Sequence, residues 1–216
     1  MSLIAFRQPE QEIQDTLSRN LTIYEAISAL NHFECQQNPQ ELGEMLDIIR
    51  DKTSLLEIGC NFGGTLWRMG NVLRPKSKIV ALDMVEQKHA LLDPMLSLKY
   101  NCHRLQELGH EVHLIEGDSH LHDNRAKAEQ HAPYDFIFID GDHSYDGVKR
   151  DWLDYGPMGK VVGFHDVSGG TEGCVRFWKE LKAQNKYRTV EFDHPRQLPH
   201  TRDWLKLGIG IVFRES

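Results

Sequence analysis

The sequence predicts an α/β protein built on a doubly wound, mostly parallel sheet with helices on both faces, and three observations carry that expectation. Short apolar strands alternate with helical segments from Ser54 onward. The run Tyr134-Asp135-Phe136-Ile137-Phe138-Ile139 is too apolar for a half-exposed strand and reads as a central one covered on both faces. It stops abruptly in Asp140-Gly141-Asp142-His143, and open α/β sheets place their sites just outside the carboxyl ends of such strands.

In chain order, residues 11–31 carry Ile13, Leu17, Leu21, Tyr24, Ile27 and Leu30 at the three-to-four spacing of an amphipathic helix. A second helix starts at Asn38-Pro39-Gln40-Glu41, with Asn38 as cap, Pro39 at the first helical position and Leu42, Met45, Leu46 and Ile49 as its buried stripe. Strands follow at 54–58, 78–82, 111–115, 136–139 and 160–164, with helices at 65–73, 88–108, 121–131, 145–153 and 172–185. Two last strands, near 187–192 and 207–213, are joined by a polar, proline-containing loop and read as a hairpin-type antiparallel addition to the sheet edge. The 216 residues suit one domain, with 1–53 as a helical cap or lid and 54–216 as the core.

Composition narrows the class. Hydrophobic residues at 40% and charged residues at 26% are ordinary for a soluble globular chain, and no apolar run reaches the length of a membrane span. A net charge of −7 argues against a nucleic-acid backbone as partner and leaves a small molecule as the better fit. Cys35, Cys60, Cys102 and Cys174 form no C-x-x-C pair, and the first twelve residues lack a secretory core, so a cytoplasmic location is expected. A homo-oligomer is compatible with all of this. Most of the 12 histidines read as solvated surface residues.

Leu55-Leu56-Glu57-Ile58-Gly59-Cys60-Asn61-Phe62-Gly63-Gly64-Thr65 is a strand, a glycine turn and a helix start. Glycines there let a ligand approach the backbone, although a turn that uses them for geometry alone would look the same. Asn61 stands where G-x-G-x-x-G has its second glycine, which argues against a dinucleotide. Asp83 closes the next strand, where an acid can accept both hydroxyls of a ribose, and Glu116-Gly117-Asp118-Ser119 follows the third, within reach of an adenine edge.

With these three motifs and the Asp140 strand end in order, the chain resembles the class I S-adenosylmethionine-dependent methyltransferases over essentially residues 55–213. The resemblance implies a Rossmann-like, seven-stranded sheet whose last strand is antiparallel. It implies that Glu57, Gly59, Cys60 and Gly63 hold the methionine and ribose end of S-adenosylmethionine or S-adenosylhomocysteine, that Asp83 holds the ribose, and that Asp118 and Ser119 lie near the adenine.

Asp140 and the Gly163-Phe164-His165-Asp166 segment end neighbouring strands, so their carboxylates should converge beside the cofactor. Such a pair invites magnesium or manganese, with His165 biasing the choice toward a softer ion if it joins. Alternatively Asp140 serves the cofactor's amino group and Asp166 caps the next helix. His143 is placed to act as a base on a bound hydroxyl. I-D-G-D-H-S-Y with F-H-D-V resembles the metal-dependent small-molecule O-methyltransferases that tailor sugars and macrolide-type products, and their cephalosporin hydroxylase-like relatives. That resemblance puts the metal on Asp140 and Asp166 and the general base on His143, while His165 replaces the commoner acid before the second aspartate. The acceptor pocket is expected from the amino-terminal helices, residues 84–108 and the loop 193–204 with His194, Arg196, His200, Arg202 and Trp204. A nicotinamide-dependent oxidoreductase and an accessory, non-methylating cofactor-binding protein remain as alternatives.

Overall fold

The structure is a computed structural model that describes residues 37–84, 94–197 and 204–214. The helix expected over 11–31, Cys35, residues 85–93, His200 and Arg202, and the side chains of Arg196 and Trp204, lie outside what is described.

Helix α1 (Pro39–Ile49) opens as its sequence dictates: the Asn38 side chain accepts from the Gln40 amide at 2.9 Å and proline takes the first turn. Then β1 (Ser54–Ile58), α2 (Gly64–Gly70), β2 (Lys78–Asp83), α3 (Pro94–Glu107), β3 (Glu111–Glu116), α4 (His122–Glu129) and β4 (Tyr134–Ile139) alternate. They continue as α5 (Tyr145–Tyr155), a short 3-10 turn (Gly156–Met158), β5 (Gly159–His165), α6 (Glu172–Ala183) and β6 (Arg188–Phe192). A two-stranded ribbon, β7 (Arg196–Gln197) and β8 (Trp204–Leu205), precedes the last strand β9 (Ile209–Phe213). No described helix is long and apolar enough to cross a membrane.

The seven-stranded sheet runs β3-β2-β1-β4-β5-β9-β6, with β1 to β5 parallel and β9 antiparallel to both its neighbours. The final pair therefore does extend the sheet edge, but the last strand slots inside and leaves β6 outermost. The residues of the loop between them pair as the β7–β8 ribbon, which its polar composition did not announce.

Strand β4 is covered on both faces, as its composition requires. Phe136 and Phe138 point into one apolar cluster with Met45, Leu66 and Leu98, while Ile137 and Ile139 point into the other with Trp152, Phe164 and Trp178. Burying each such side chain contributes about 1.5–3 kcal/mol. Asp135, the one acid in the run, faces the strand's amino end and accepts from the Thr53 amide (2.9 Å) and hydroxyl (2.7 Å) beside Lys160 Nζ at 3.1 Å. Partial burial opposes its charge, yet these partners hold its carboxyl down at about 2.

Candidate active site

The carboxyl ends of β1, β2, β4 and β5 meet at one edge of the sheet, and the loop after β1 lies at its centre. Gly59 sits at φ 82° and Gly63 at φ 80°, the left-handed region that favours glycine. A Cβ on Gly59 would collide with the Asp140 carbonyl and lie 2.5 Å from Gly141 Cα, so the loop after β1 and the loop after β4 can touch only through a glycine.

Asp83 fixes this loop from below: one carboxylate oxygen accepts both the Cys60 and the Asn61 amides, each at 2.6 Å. Glu57 is fully buried, and neither of its oxygens has a hydrogen-bond partner among the described residues. Burial, with Asp140 and Asp83 nearby, pushes its carboxyl well above the usual range, which favours the neutral form beneath the loop. Cys60 is a buried thiol, pushed up by the same burial. Asp118 keeps a half-exposed carboxylate that accepts the His120 amide at 2.7 Å. Ser119, by contrast, donates its hydroxyl to Asp151 at 2.8 Å. Burial raises that aspartate to about 6 against the pull of the Ser119 hydrogen bond.

Because Ile139 pairs with Phe164, Asp140 stands level with His165 and one residue short of Asp166. Four titratable groups meet there. His143 Nδ1 lies 2.9 Å from Asp166 Oδ2 and its Nε2 3.4 Å from Asp140 Oδ1. His165 Nδ1 lies 3.0 Å from Asp140 Oδ1 and 3.3 Å from Asp166 Oδ1. Asp166 itself adopts φ 59° and does not cap α6, whose cap position is Thr171.

Hydrogen bonds to Asp140 and Asp166 raise His143 to about 11, against the cost of its burial. Burial alone would raise Asp140 and lower His165; in each case the opposite charges win, holding the carboxyl down and the imidazole up. An imidazole held this way is a proton donor as long as both carboxylates are directed at it. Asp166 Oδ1 and His165 Nε2 remain buried without a hydrogen bond among the described residues. No three ligand atoms of this cluster already stand as close together as those of Glu111, His113 and His131 do elsewhere in the chain.

Three contributions escaped the sequence reading. Gln37 donates to Asp140 Oδ2 at 2.7 Å and accepts from the Thr65 hydroxyl at 2.7 Å, which joins the segment before α1 to the strand-end acids. Glu41, fully buried, accepts the His194 amide at 2.8 Å and the Gly208 amide at 3.2 Å, so α1 and the 193–208 loop hold together over this edge. Only Asp151 carried a signal: it is an acid set within the buried stripe Val148, Trp152 and Tyr155 of α5, where an unpaired carboxylate would be costly.

Residues 56–167, just over half of the chain, match the profile of a family described as a methyltransferase domain. The chain belongs to that family, and its class is S-adenosylmethionine-dependent methyltransferase. The same fold is seen in an O-methyltransferase from Bacillus cereus in complex with S-adenosylhomocysteine, 17% identical, covering 98% of this chain and 94% of that one at a TM-score of 0.61. It recurs in the O-methyltransferase TomG from Streptomyces achromogenes, involved in tomaymycin synthesis and solved with S-adenosylmethionine (15% identity, 96% and 100% covered, TM-score 0.59). A TDP-rhamnose 3'-O-methyltransferase of calicheamicin biosynthesis shares it too (16% identity, 100% of both chains, TM-score 0.56). A comparison with curated proteins finds no significant match.

Proposed function

We propose that the chain moves a methyl group from S-adenosylmethionine to a hydroxyl of a polar small molecule, such as a sugar or a sugar-bearing natural product, in the cytoplasm. The observation that carries this reading is the meeting of Asp140, His143, His165 and Asp166 beside the glycine loop. Support for an oxygen acceptor comes from the fold shared with O-methyltransferases, one of them acting on a nucleotide sugar.

The donor set fits a divalent cation. Two carboxylates at adjacent strand ends suit magnesium or manganese, and the buried His165 Nε2 has no hydrogen bond among the described residues, while Asp166 Oδ1 has only the ion-pair contact with His165 Nδ1. Asp140 and Asp166 would hold it, with His165 as a further ligand. A cation bound there supplies Lewis acidity that lowers the pKa of a hydroxyl.

The remaining work falls to the chain. Gly59, Cys60 and Gly63 shape the loop for the methionine end, braced by Asp83, which is also the proposed ribose acceptor. Glu57 supports the loop from within, and Asp118 serves the adenine side with the Ser119 backbone, since the Ser119 hydroxyl is given to Asp151. His143 would take the hydroxyl proton once Asp140 and Asp166, whose hydrogen bonds hold a proton on its imidazole, serve as cation ligands. Because the sulfonium is a reactive donor, placing oxygen and methyl carbon in line supplies much of the acceleration.

Incubating the protein with S-adenosylmethionine labelled in the methyl group and a panel of nucleotide sugars and hydroxylated natural products tests this. Label should appear on an acceptor oxygen, fall at least about tenfold with EDTA and return with magnesium or manganese. Transfer indifferent to chelator would contradict the cation, and absence of transfer to any acceptor would favour the accessory cofactor-binding reading.

A further inference from the structure

We propose a second metal-binding site, for a zinc-class divalent cation, formed by Glu111, His113 and His131 at the amino end of the sheet. In a strand, residues two apart share a face, so Glu111 and His113 stand side by side on β3, the outermost parallel strand. His131 arrives from the turn between α4 and β4. One ligand atom from each of the three lies within 4.8 Å of the others. His113 Nε2 is 2.7 Å from Glu111 Oε1, and the two imidazoles stack with centroids 4.0 Å apart at 29°.

The ligand chemistry is right as well as the spacing. A two-imidazole, one-carboxylate set with an open position is a zinc-type set, unlike the carboxylate pair at the cofactor edge. Tetrahedral bonds of about 2.0–2.2 Å place ligand atoms roughly 3.3 Å apart, so small side-chain rotations close the site. Lys78, paired in register with Glu111 on β2, is the opposing charge that such an ion must overcome. The two sites share no residue and lie at opposite ends of the strands. An ion here would tie the edge strand to the α4–β4 turn.

Zinc titration of the purified full chain, by calorimetry and thermal melting, tests the assignment without reference to activity. In Asp140→Asn/Asp166→Asn, which removes the carboxylates of the cofactor-edge site, about one zinc per chain should bind with a raised melting temperature, and adding His113→Ala/His131→Ala should weaken that binding at least about tenfold. Equal affinity with and without the two histidines in that background would overturn the site. Should that variant fail to fold, Lys78→Met serves instead: removing the opposing charge should tighten zinc about threefold or more, and no gain would count against the site.

Discussion

Gly59→Ala is expected to abolish cofactor binding and to cost about 2–5 kcal/mol of stability, the sum of left-handed strain and overpacking. The Gly59 amide donates to Leu82 at 2.9 Å and the Asp140 amide donates to Ile58 at 2.8 Å, so the loop is pinned on both sides with no route of retreat. A methyl group pressed against the Asp140 carbonyl must push the β4 loop outward, and that loop carries His143. Urea unfolding together with titration by S-adenosylhomocysteine reads both effects. Gly43→Ala on α1 is the comparison, because a Cβ there meets nothing within 4 Å; it should leave binding intact and gain about 0.5–1 kcal/mol. Wild-type affinity in Gly59→Ala would mean that the loop is not where the cofactor lies.

The second large effect belongs to His143. His143→Ala should lower turnover by about 10²–10⁴-fold while changing S-adenosylhomocysteine affinity by less than about threefold. The separation is expected because His143 touches Asp140 and Asp166, while the hydrogen bonds that hold the glycine loop come from Asp83. Single-turnover transfer from labelled S-adenosylmethionine measures it. Near-normal turnover would remove His143 from the proton transfer and leave it as a bridge between two acids.

Much of this site is legible in the sequence because its parts are local. An apolar run followed by Asp140-Gly141-Asp142-His143, or a strand ending in Asp83, states both the element and its chemistry within a few residues, and the parallel alternation aligns their ends. What the sequence conceals is long-range. Gln37 and Glu41 act on partners 103 and 153 residues away, and nothing in their neighbourhood marks them as polar groups destined for burial. The insertion of β9 between β5 and β6 likewise depends on which edge the chain returns to, not on the composition of either strand. Ser119 shows another case: it follows β3 as its sequence indicates, but its hydroxyl answers the buried Asp151 on a helix 32 residues later. Asp140 and Asp166 do converge, yet with two imidazoles between them, because buried carboxylates draw on the nearest protonated groups.

The central claim, that this edge of the sheet holds an S-adenosyl cofactor, is tested most directly by calorimetric titration of the full chain with S-adenosylhomocysteine and, in parallel, with NAD. Saturable binding of S-adenosylhomocysteine that is lost in Asp83→Ala, with no heat from NAD, is the expected result. Binding of NAD without S-adenosylhomocysteine would contradict it.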